Sequence, residues 1–341
     1  MTDQDARHGL GDPRIPWVVL LDLGWTDPPG TETLAQRLDA LAREAGWAAP
    51  RPGAVLTGGR SALVRELASG SPEALRVGRY DDGVVLAARH DALDGLAMLT
   101  AGRRLLGEVR SSARGLPAST KPPGAGALLR RAWEVAARPP ARVVAARTAS
   151  TSGPTSGDVF ASTEVDTAPR TADLVLAGAR AVADWNREHG RSARRTSVAV
   201  GASRVGGTAD DLRDASAFLR LTDVDRMGAE EVRAALAQAP VQPGGSAAAA
   251  NGIAGRLVGA GVRIAAPRLG STLLVSHLGT LTADDALRGA AFYPVTGGGS
   301  GLSLGAATLR GSTTLTLRAR AATHDDDALQ HLLERVVANL D

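Results

Sequence analysis

Short apolar runs typical of β-strands alternate irregularly with amphipathic segments typical of helices along the sequence. The run WVVLLDL at 17–23 predicts a buried strand, and apolar residues at helical spacing from Leu34 to Ala45, after Thr31 as a candidate N-cap, predict the helix that follows. Gly311, in the middle of an alternating Thr-Leu run, predicts a late hairpin, whereas the stretch after Arg204 has a mixed helical pattern. Because strands and helices alternate without a regular repeat, we expect an α/β (α+β) fold with mixed sheets.

The length of the chain and one linker-like segment predict how it is divided. A chain of 341 residues exceeds one average core, so we expect one large domain or two lobes. The segment TASTSGPTSG at 148–157 has the small and polar composition of a flexible connector. We therefore place an N-terminal lobe over residues 1–155 and a C-terminal lobe over residues 156–341.

The composition excludes several classes of site and location. Because the chain has no cysteine, it has no disulfide, thiolate zinc site, iron–sulfur cluster or cysteine nucleophile. The longest apolar run, near 17–21, is far shorter than the roughly 20 residues that span a bilayer. The polar N-terminus lacks the apolar stretch of a secretion signal. We therefore expect a cytoplasmic protein with no membrane partner.

The charge balance argues against a nucleic-acid partner. The sequence has 39 basic and 36 acidic residues, so its formal net charge is only +3. Its calculated isoelectric point is about 10 because Lys121 is the only lysine and the arginines do not titrate below pH 12. Basic residues are interspersed with acids, and only 3% of residues are aromatic. We therefore expect no nucleic-acid interface, since such interfaces use basic patches and stacking platforms.

The segment RHDALDG at 89–95 contains the most informative residues. His90 follows a predicted strand, and Asp94 and Gly95 open the next predicted helix. A histidine in a strand-to-helix loop can titrate near neutral pH and act as an acid or base. A carboxylate at a helix N-terminus is stabilised by the helix dipole. The spacing alone is equally consistent with an ordinary loop histidine followed by a helix cap.

RHDALDG resembles the HHxxxDG motif of the condensation domains of nonribosomal peptide synthetases. The wider chloramphenicol-acetyltransferase-like superfamily shares its HxxxD core. Three further segments resemble the second half of this family in the same order: a long helix followed by a strand ending in arginine (171–204), LLVSHLGTL (273–281) and the late hairpin (301–321). Together these segments extend over most of the chain between Trp17 and Leu340.

The resemblance implies a fold and a reaction. It implies two chloramphenicol-acetyltransferase-like lobes with mixed sheets, which form a V around a central channel that contains His90. An acyl or aminoacyl thioester, carried on coenzyme A or on the phosphopantetheine arm of a carrier protein, would react there with an amine or alcohol. The product would be an amide or ester, as in nonribosomal peptide or antibiotic biosynthesis. No metal ion and no permanently bound cofactor is implied.

The resemblance also implies roles for individual residues. His90 would orient the nucleophile and accept its proton, and the backbone N–H of Gly95 would stabilise the oxyanion. Asp94 would be structural and would pair with Arg204 at the end of a strand below the motif loop. Three residues would line the channel: Arg89, which replaces the first histidine of the motif, Ser276, and His277, which replaces an asparagine of the family.

Three alternatives remain open from the sequence. Arg89 leaves room for an inactive condensation-like domain that only recruits partners. GLSLG at 301–305 matches the GxSxG motif of serine hydrolases around Ser303, with aspartates at 325–327 and His331 downstream. However, the sequence after Ser303 predicts a strand, whereas this motif requires a helix there. His324 beside three aspartates matches a metal cluster in composition, although a solvent-exposed helix start fits the same pattern better.

Overall fold

A computed structural model describes residues 17–51, 53–113, 115–117, 139–147, 156–191, 195–205, 211–240, 242–243, 271–296 and 301–340. Most of the predicted connector, residues 148–155, lies outside these ranges. Within the described residues, no helix is both long enough and apolar enough to cross a membrane.

The first part of the chain contains three helices and six strands among its described residues. In chain order they are β1 (Val18–Trp25), α1 (Thr31–Ala45), β2 (Val55–Thr57), α2 (Arg60–Ala68), β3 (Leu75–Tyr80), β4 (Gly83–Arg89), α3 (Gly95–Leu105), β5 (Val109–Ser111) and β6 (Leu116–Pro117).

The second part contains three more described helices and eight strands. In chain order they are β7 (Asp158–Val165), α4 (Thr171–Glu188), β8 (Ser197–Val205), β9 (Ser216–Thr222), α5 (Ala229–Gln238), β10 (Gln242–Pro243), β11 (Leu273–Ala283), β12 (Leu287–Tyr293), β13 (Leu302–Leu309), β14 (Ser312–Arg320) and α6 (Asp326–Ala338). The mixed helical pattern predicted after Arg204 is right for α5 but misses β9. In this strand alternate residues are buried, which is a period of two rather than a helical period.

The strands form two mixed sheets. The first sheet has five strands in the order β12-β1-β4-β3-β2, all antiparallel except the β2–β3 pair. The second sheet has nine strands, with the central order β10-β9-β8-β11-β13-β14-β7 and parallel pairs at β8–β11 and β11–β13. The predicted α+β fold with mixed sheets is therefore confirmed.

The two sheets exchange strands. β12 follows β11 of the second sheet in the chain but pairs with β1 in the first sheet. In the other direction, β5 pairs with β11 and β6 pairs with β8. The boundary between residues 155 and 156 stays a prediction, but sheet membership crosses it in both directions. Because every exchange adds hydrogen bonds between the lobes, neither sheet can move far without the other.

Helices cover both faces of the first sheet. Odd-numbered residues of β1, such as Leu21 and Leu23, pack in a core with α1 and α3, whereas the even-numbered Leu20 packs against α2. The core around α3 also contains residues of the second sheet, including Leu278 and Leu309. Helices α4 and α6 share a separate core with the second sheet. Thus α3 lies where the two sheets meet.

A buried arginine joins the second sheet to the start of β1. The guanidinium of Arg318 in β14 lies 2.6 Å from the carboxylate of Asp158 in β7, and both side chains are almost fully buried. Its Nη1 also donates to the carbonyl of Val18 at 2.6 Å. Trp17, the residue before Val18, accepts a hydrogen bond from the backbone N–H of His90. Arg318 therefore fixes the chain segment beside the candidate site.

Replacing Asp158 by alanine should destabilise the protein strongly. The change leaves Arg318 buried without its main counter-charge, which costs on the order of 3–5 kcal/mol of unfolding free energy. Urea denaturation followed by circular dichroism measures this loss. Asp39→Ala is the matched control, because it breaks an exposed pair with Arg43 and should cost less than about 1 kcal/mol. Equal losses for the two variants would contradict the assigned role of Arg318.

Candidate active site

His90 lies in the tight connection between β4 and α3. The backbone N–H groups of Ala92 and Leu93 both donate to the carbonyl of Arg89, so the chain turns immediately after the strand. The backbone N–H of His90 donates to the carbonyl of Trp17 at 2.8 Å. These bonds fix the backbone of His90, and its side chain is 21% exposed. The imidazole is therefore partly buried but open to a ligand.

Two side chains from different parts of the chain face the His90 ring. Its Nδ1 lies 3.8 Å from Oδ1 of Asp214, which precedes β9 in the C-terminal half. On another side, the ring of Trp17 lies 6.4 Å away between centroids and is tilted by 51°. Trp17 is 42% exposed and is the one exposed large apolar side chain in the described part of the chain. Neither Trp17 nor Asp214 was predicted to be a site residue from the sequence.

Asp94 connects three chain segments through its buried carboxylate. Its Oδ1 accepts from the N–H of Ala97 at 2.9 Å and thereby caps α3. Its Oδ2 accepts from the hydroxyl of Ser203 in β8 at 2.7 Å and from the N–H of Ala215 at 3.2 Å. All three donors point to a structural role, as the resemblance implied for this residue. With three donors bound to its carboxylate, Asp94 is poorly placed to act as a base.

The predicted ion pair between Asp94 and Arg204 is wrong. Both residues are described, yet no contact joins their side chains within ion-pair distance, and Arg204 is exposed. Ser203 is the residue of β8 that reaches Asp94. Adjacent residues in a strand point to opposite faces, so only one of the two can face α3. One hydroxyl and two backbone amides, rather than a guanidinium, bind the carboxylate.

Gly95 begins α3 at a point where the chain is tightly packed. A Cβ atom there would lie 2.9 Å from Cδ2 of Leu278 in β11 and 3.0 Å from Cζ of Phe292 in β12. Both contacts are tighter than usual, so a side chain at this position would require the ends of Leu278 and Phe292 to shift. As the first helical residue, Gly95 also has a backbone N–H without an acceptor in the helix. This geometry is compatible with the predicted oxyanion donor, which stays a prediction.

Arg89 is bound within its own loop. Its Nε donates to the carboxylate of Asp91 at 2.9 Å, and its Nη1 donates to the carbonyl of Pro72 at 2.8 Å. The hydrogen bonds with Asp91 also raise the pKa of Arg89 further above its usual range. These contacts bind the Arg89 side chain to its own loop at the end of β4. Its predicted position in a channel stays a prediction.

The structure places Ser276 and His277 on opposite faces of β11. A Cβ atom on Gly201 of β8 would lie 2.8 Å from the Ser276 hydroxyl, so these two residues lie on the same face of the sheet. Ser203 lies two residues after Gly201 in β8 and therefore points to this face as well. His277 instead contacts the hydroxyl of Thr171 at the start of α4, through Nδ1 at 3.2 Å. Of the two, Ser276 lies on the side that leads to Asp94, and His277 packs against α4.

Burial determines the protonation state of His277. Its Nε2 is buried without a hydrogen-bond partner, and burial lowers the pKa of the imidazole to about 4. The group is therefore neutral at pH 7. The same cause lowers the pKa of His324 to about 4, partly offset by the nearby carboxylate of Asp325.

Two of the alternative sites are wrong. Ser303 is fully buried in the second residue of β13 and donates to the carbonyl of Pro294 at 3.2 Å, so it cannot be a hydrolase nucleophile. Among the described residues no group of three or more histidine and acidic side chains could hold a metal ion, so His324 and the aspartates do not form a metal cluster. His324 is only 1% exposed and packs near Trp185, whereas Asp326 and Asp327 at the start of α6 are exposed. Asp325, which was grouped with it, caps α6 by accepting from the N–H of Ala328.

Comparison with solved structures identifies similar folds. No protein-family model matches the sequence, and no curated protein sequence matches it either. The first condensation domain of the CDA synthetase is similar with a TM-score of 0.57 at 16% identity, over 98% of this chain and 91% of that one. The NRPS cyclization-docking bidomain EpoB from Sorangium cellulosum is similar with a TM-score of 0.53 at 12% identity, over 98% of this chain and 82% of that one.

Replacing Asp94 by alanine should damage folding as well as any activity. The change removes the cap of α3 and leaves the Ser203 hydroxyl and the Ala215 N–H without their acceptor. Together these losses should lower the unfolding free energy by on the order of 3 kcal/mol in urea denaturation. Ser203→Ala removes a single one of these bonds and should cost about 1 kcal/mol. If Asp94→Ala is no more harmful than Ser203→Ala, Asp94 does not hold the segments together.

The neutral, buried histidines should make the protein sensitive to acid. In the unfolded chain a histidine binds a proton near pH 6.5, whereas in the folded protein His324 does so near pH 4. Between these values the unfolded state binds more protons, so the unfolding free energy should fall as the pH is lowered from 6.5 to 4. Denaturation series across this range should show a smaller pH dependence for His324→Leu. An unchanged slope would contradict the assignment of His324 as a neutral group.

Proposed function

We propose that this chain, which has the two-lobed fold of the condensation domains, is an acyltransferase. It would transfer an acyl or aminoacyl group from a thioester, on coenzyme A or a carrier-protein phosphopantetheine, to an amine or alcohol. The observation that carries the proposal is the position of His90. A partly buried imidazole lies in the loop that the two halves of the chain hold together through Asp94, and an acidic side chain faces its Nδ1.

The proposed reaction needs one base and one oxyanion donor. As the amine or alcohol attacks the thioester carbonyl, a new C–N or C–O bond forms and the nucleophile passes its proton to Nε2 of His90. The carbonyl oxygen becomes an oxyanion, which the N–H of Gly95 at the start of α3 would stabilise. Collapse of this intermediate breaks the C–S bond, and His90 returns the proton to the departing sulfur. The reaction is balanced and needs no oxidant.

The remaining residues support this arrangement without taking part in bond making. Asp94 holds α3, and with it Gly95, against β8 and the segment before β9. The side chains of Leu278 and Phe292 pack closely against Gly95 at the start of α3. The exposed ring of Trp17 beside His90 offers apolar surface to a bound substrate.

An inactive condensation-like domain that recruits partners is the second candidate function. The observation that favours it is Arg89, which stands in the place of the first motif histidine and is bound to Asp91. A recruitment domain has no need for a partly buried imidazole with an acidic neighbour, so we favour the enzyme. The same assay separates the two candidates.

His90→Ala should abolish acyl transfer and leave the fold intact. Loss of a general base typically costs 10²- to 10⁴-fold in rate, and the partly exposed ring of His90 contributes little packing. Acyl thioesters of N-acetylcysteamine and of coenzyme A, mixed with a panel of amines and alcohols, allow product formation to be followed by mass spectrometry. His331→Ala is the matched control, because it changes an exposed histidine of α6 and should keep wild-type turnover.

Two results would contradict this prediction. A His90→Ala variant that turns over at the wild-type rate would remove His90 from the mechanism. A folded wild-type protein that transfers no acyl group from any of these donors, or from loaded carrier proteins, would favour the recruitment domain.

A further inference from the structure

We propose that Asp214 is a positioning residue that holds His90 through Nδ1, so that Nε2 is the nitrogen that accepts the proton. The inference rests on the proposed acyl transfer for its catalytic meaning, but the arrangement of the two side chains can be tested without any substrate. Asp214 belongs to the C-terminal half of the chain and His90 to the N-terminal half. The imidazole and the carboxylate that orients it would therefore come together only where the two halves of the chain meet.

The two side chains are close and partly shielded from water. Oδ1 of Asp214 lies 3.8 Å from Nδ1 of His90, and the side chains are 23% and 21% exposed. This distance is longer than a hydrogen bond and within the range of an ion pair. Hydrogen bonds at catalytic groups are often long without substrate and shorten when it binds.

Asp214 is held in place by its own backbone contacts. Its Oδ1 accepts from the N–H of Ser216 at 2.8 Å, which fixes the carboxylate at the start of β9. The N–H of the next residue, Ala215, donates to Asp94, and the carbonyl of Ala215 accepts from the N–H of Arg204. The segment that carries Asp214 is thus bound to the loop that carries His90. The pair is built by the fold rather than formed by two mobile surface side chains.

The other ring nitrogen of His90 is available for the reaction. Across the residues that the structure describes, Nε2 of His90 has no hydrogen-bond partner. The Trp17 ring lies beside the imidazole at a centroid distance of 6.4 Å. The imidazole therefore has one edge directed toward a carboxylate and one edge open to a ligand.

A carboxylate beside Nδ1 selects the protonation pattern that a general base needs. Neutral imidazole has one N–H, and a carboxylate attracts it to the nearer nitrogen, which leaves the lone pair on the far nitrogen. When Nε2 then takes a proton, the same carboxylate stabilises the imidazolium. Asp94 cannot supply this effect, because three donors already occupy its carboxylate. The two aspartates thus have different roles. Asp94 fixes the loop that carries His90, and Asp214 orients the imidazole of His90.

Imidazole ¹⁵N NMR of the full-length protein tests this assignment directly. The six histidines give few signals, and His90→Ala identifies those of His90. In the wild type we expect His90 to be mainly the Nδ1–H tautomer when neutral. In Asp214→Asn the signals should move toward the Nε2–H tautomer. Asparagine keeps the oxygen that accepts from Ser216, so the variant should fold.

Kinetics and a matched control complete the experiment. Asp214→Asn should lower kcat by about 10- to 10³-fold with little change in KM for the thioester, and Asp214→Glu should restore part of the rate. Asp211→Asn, in the same segment, breaks a pair with Arg213 and should leave both the His90 signals and kcat unchanged.

The outcomes separate the two proposals. Wild-type His90 signals in Asp214→Asn would overturn the positioning role, whatever the rate. Changed signals with an unchanged kcat would overturn its importance for the reaction. A wild-type protein without transferase activity would overturn the proposed function alone, since the NMR signals report the tautomer without substrate.

Discussion

The carboxylate of Asp94 is bound by donors from three separate parts of the chain, and the candidate site is assembled around it. One donor belongs to α3, one to β8 and one to the segment before β9. Because the carboxylate is almost completely buried, each donor replaces a water molecule that a free aspartate would bind. The interaction fixes the start of α3 and brings the C-terminal segment, with Asp214, to the loop of His90. Helix cap, lobe contact and site geometry therefore depend on one side chain.

Two further constraints hold the other side of the site. Arg318 bonds the carbonyl of Val18 and so fixes the strand start next to Trp17, whose carbonyl in turn bonds His90. β12 crosses from the second sheet to the first and places Phe292 against Gly95. The site is thus surrounded by buried contacts between the lobes, while the imidazole itself stays accessible. A rigid frame of this kind suits a reaction in which two substrates must meet at one base.

Local sequence patterns predicted much of the fold. The apolar run of β1, the Asp94 cap and the hairpin turn at Gly311, with its positive φ of 91°, depend on neighbouring residues and are visible in the sequence. The crossing of β12 is not, because its pairing with β1 joins residues far apart in the chain. The partner of Asp94 was placed one residue too far, on Arg204 instead of Ser203. Neighbouring side chains of a strand point to opposite faces of the sheet. A correctly predicted strand therefore still gives the wrong contact when the contacting residue is misplaced by one position.

Asp214 left no signal that sequence reasoning could use, since it is one of three aspartates around Arg213 over 210–214. Its role becomes visible only when the fold brings it to His90. The most direct measurement of the central claim is a crystal structure with a stable acyl-pantetheine analogue, in which a methylene replaces the thioester sulfur, and an amine acceptor. We expect the acceptor nitrogen roughly 3 Å from Nε2 of His90 and the carbonyl oxygen directed toward the N–H of Gly95. An analogue bound away from His90, with Nε2 facing only solvent, would contradict it.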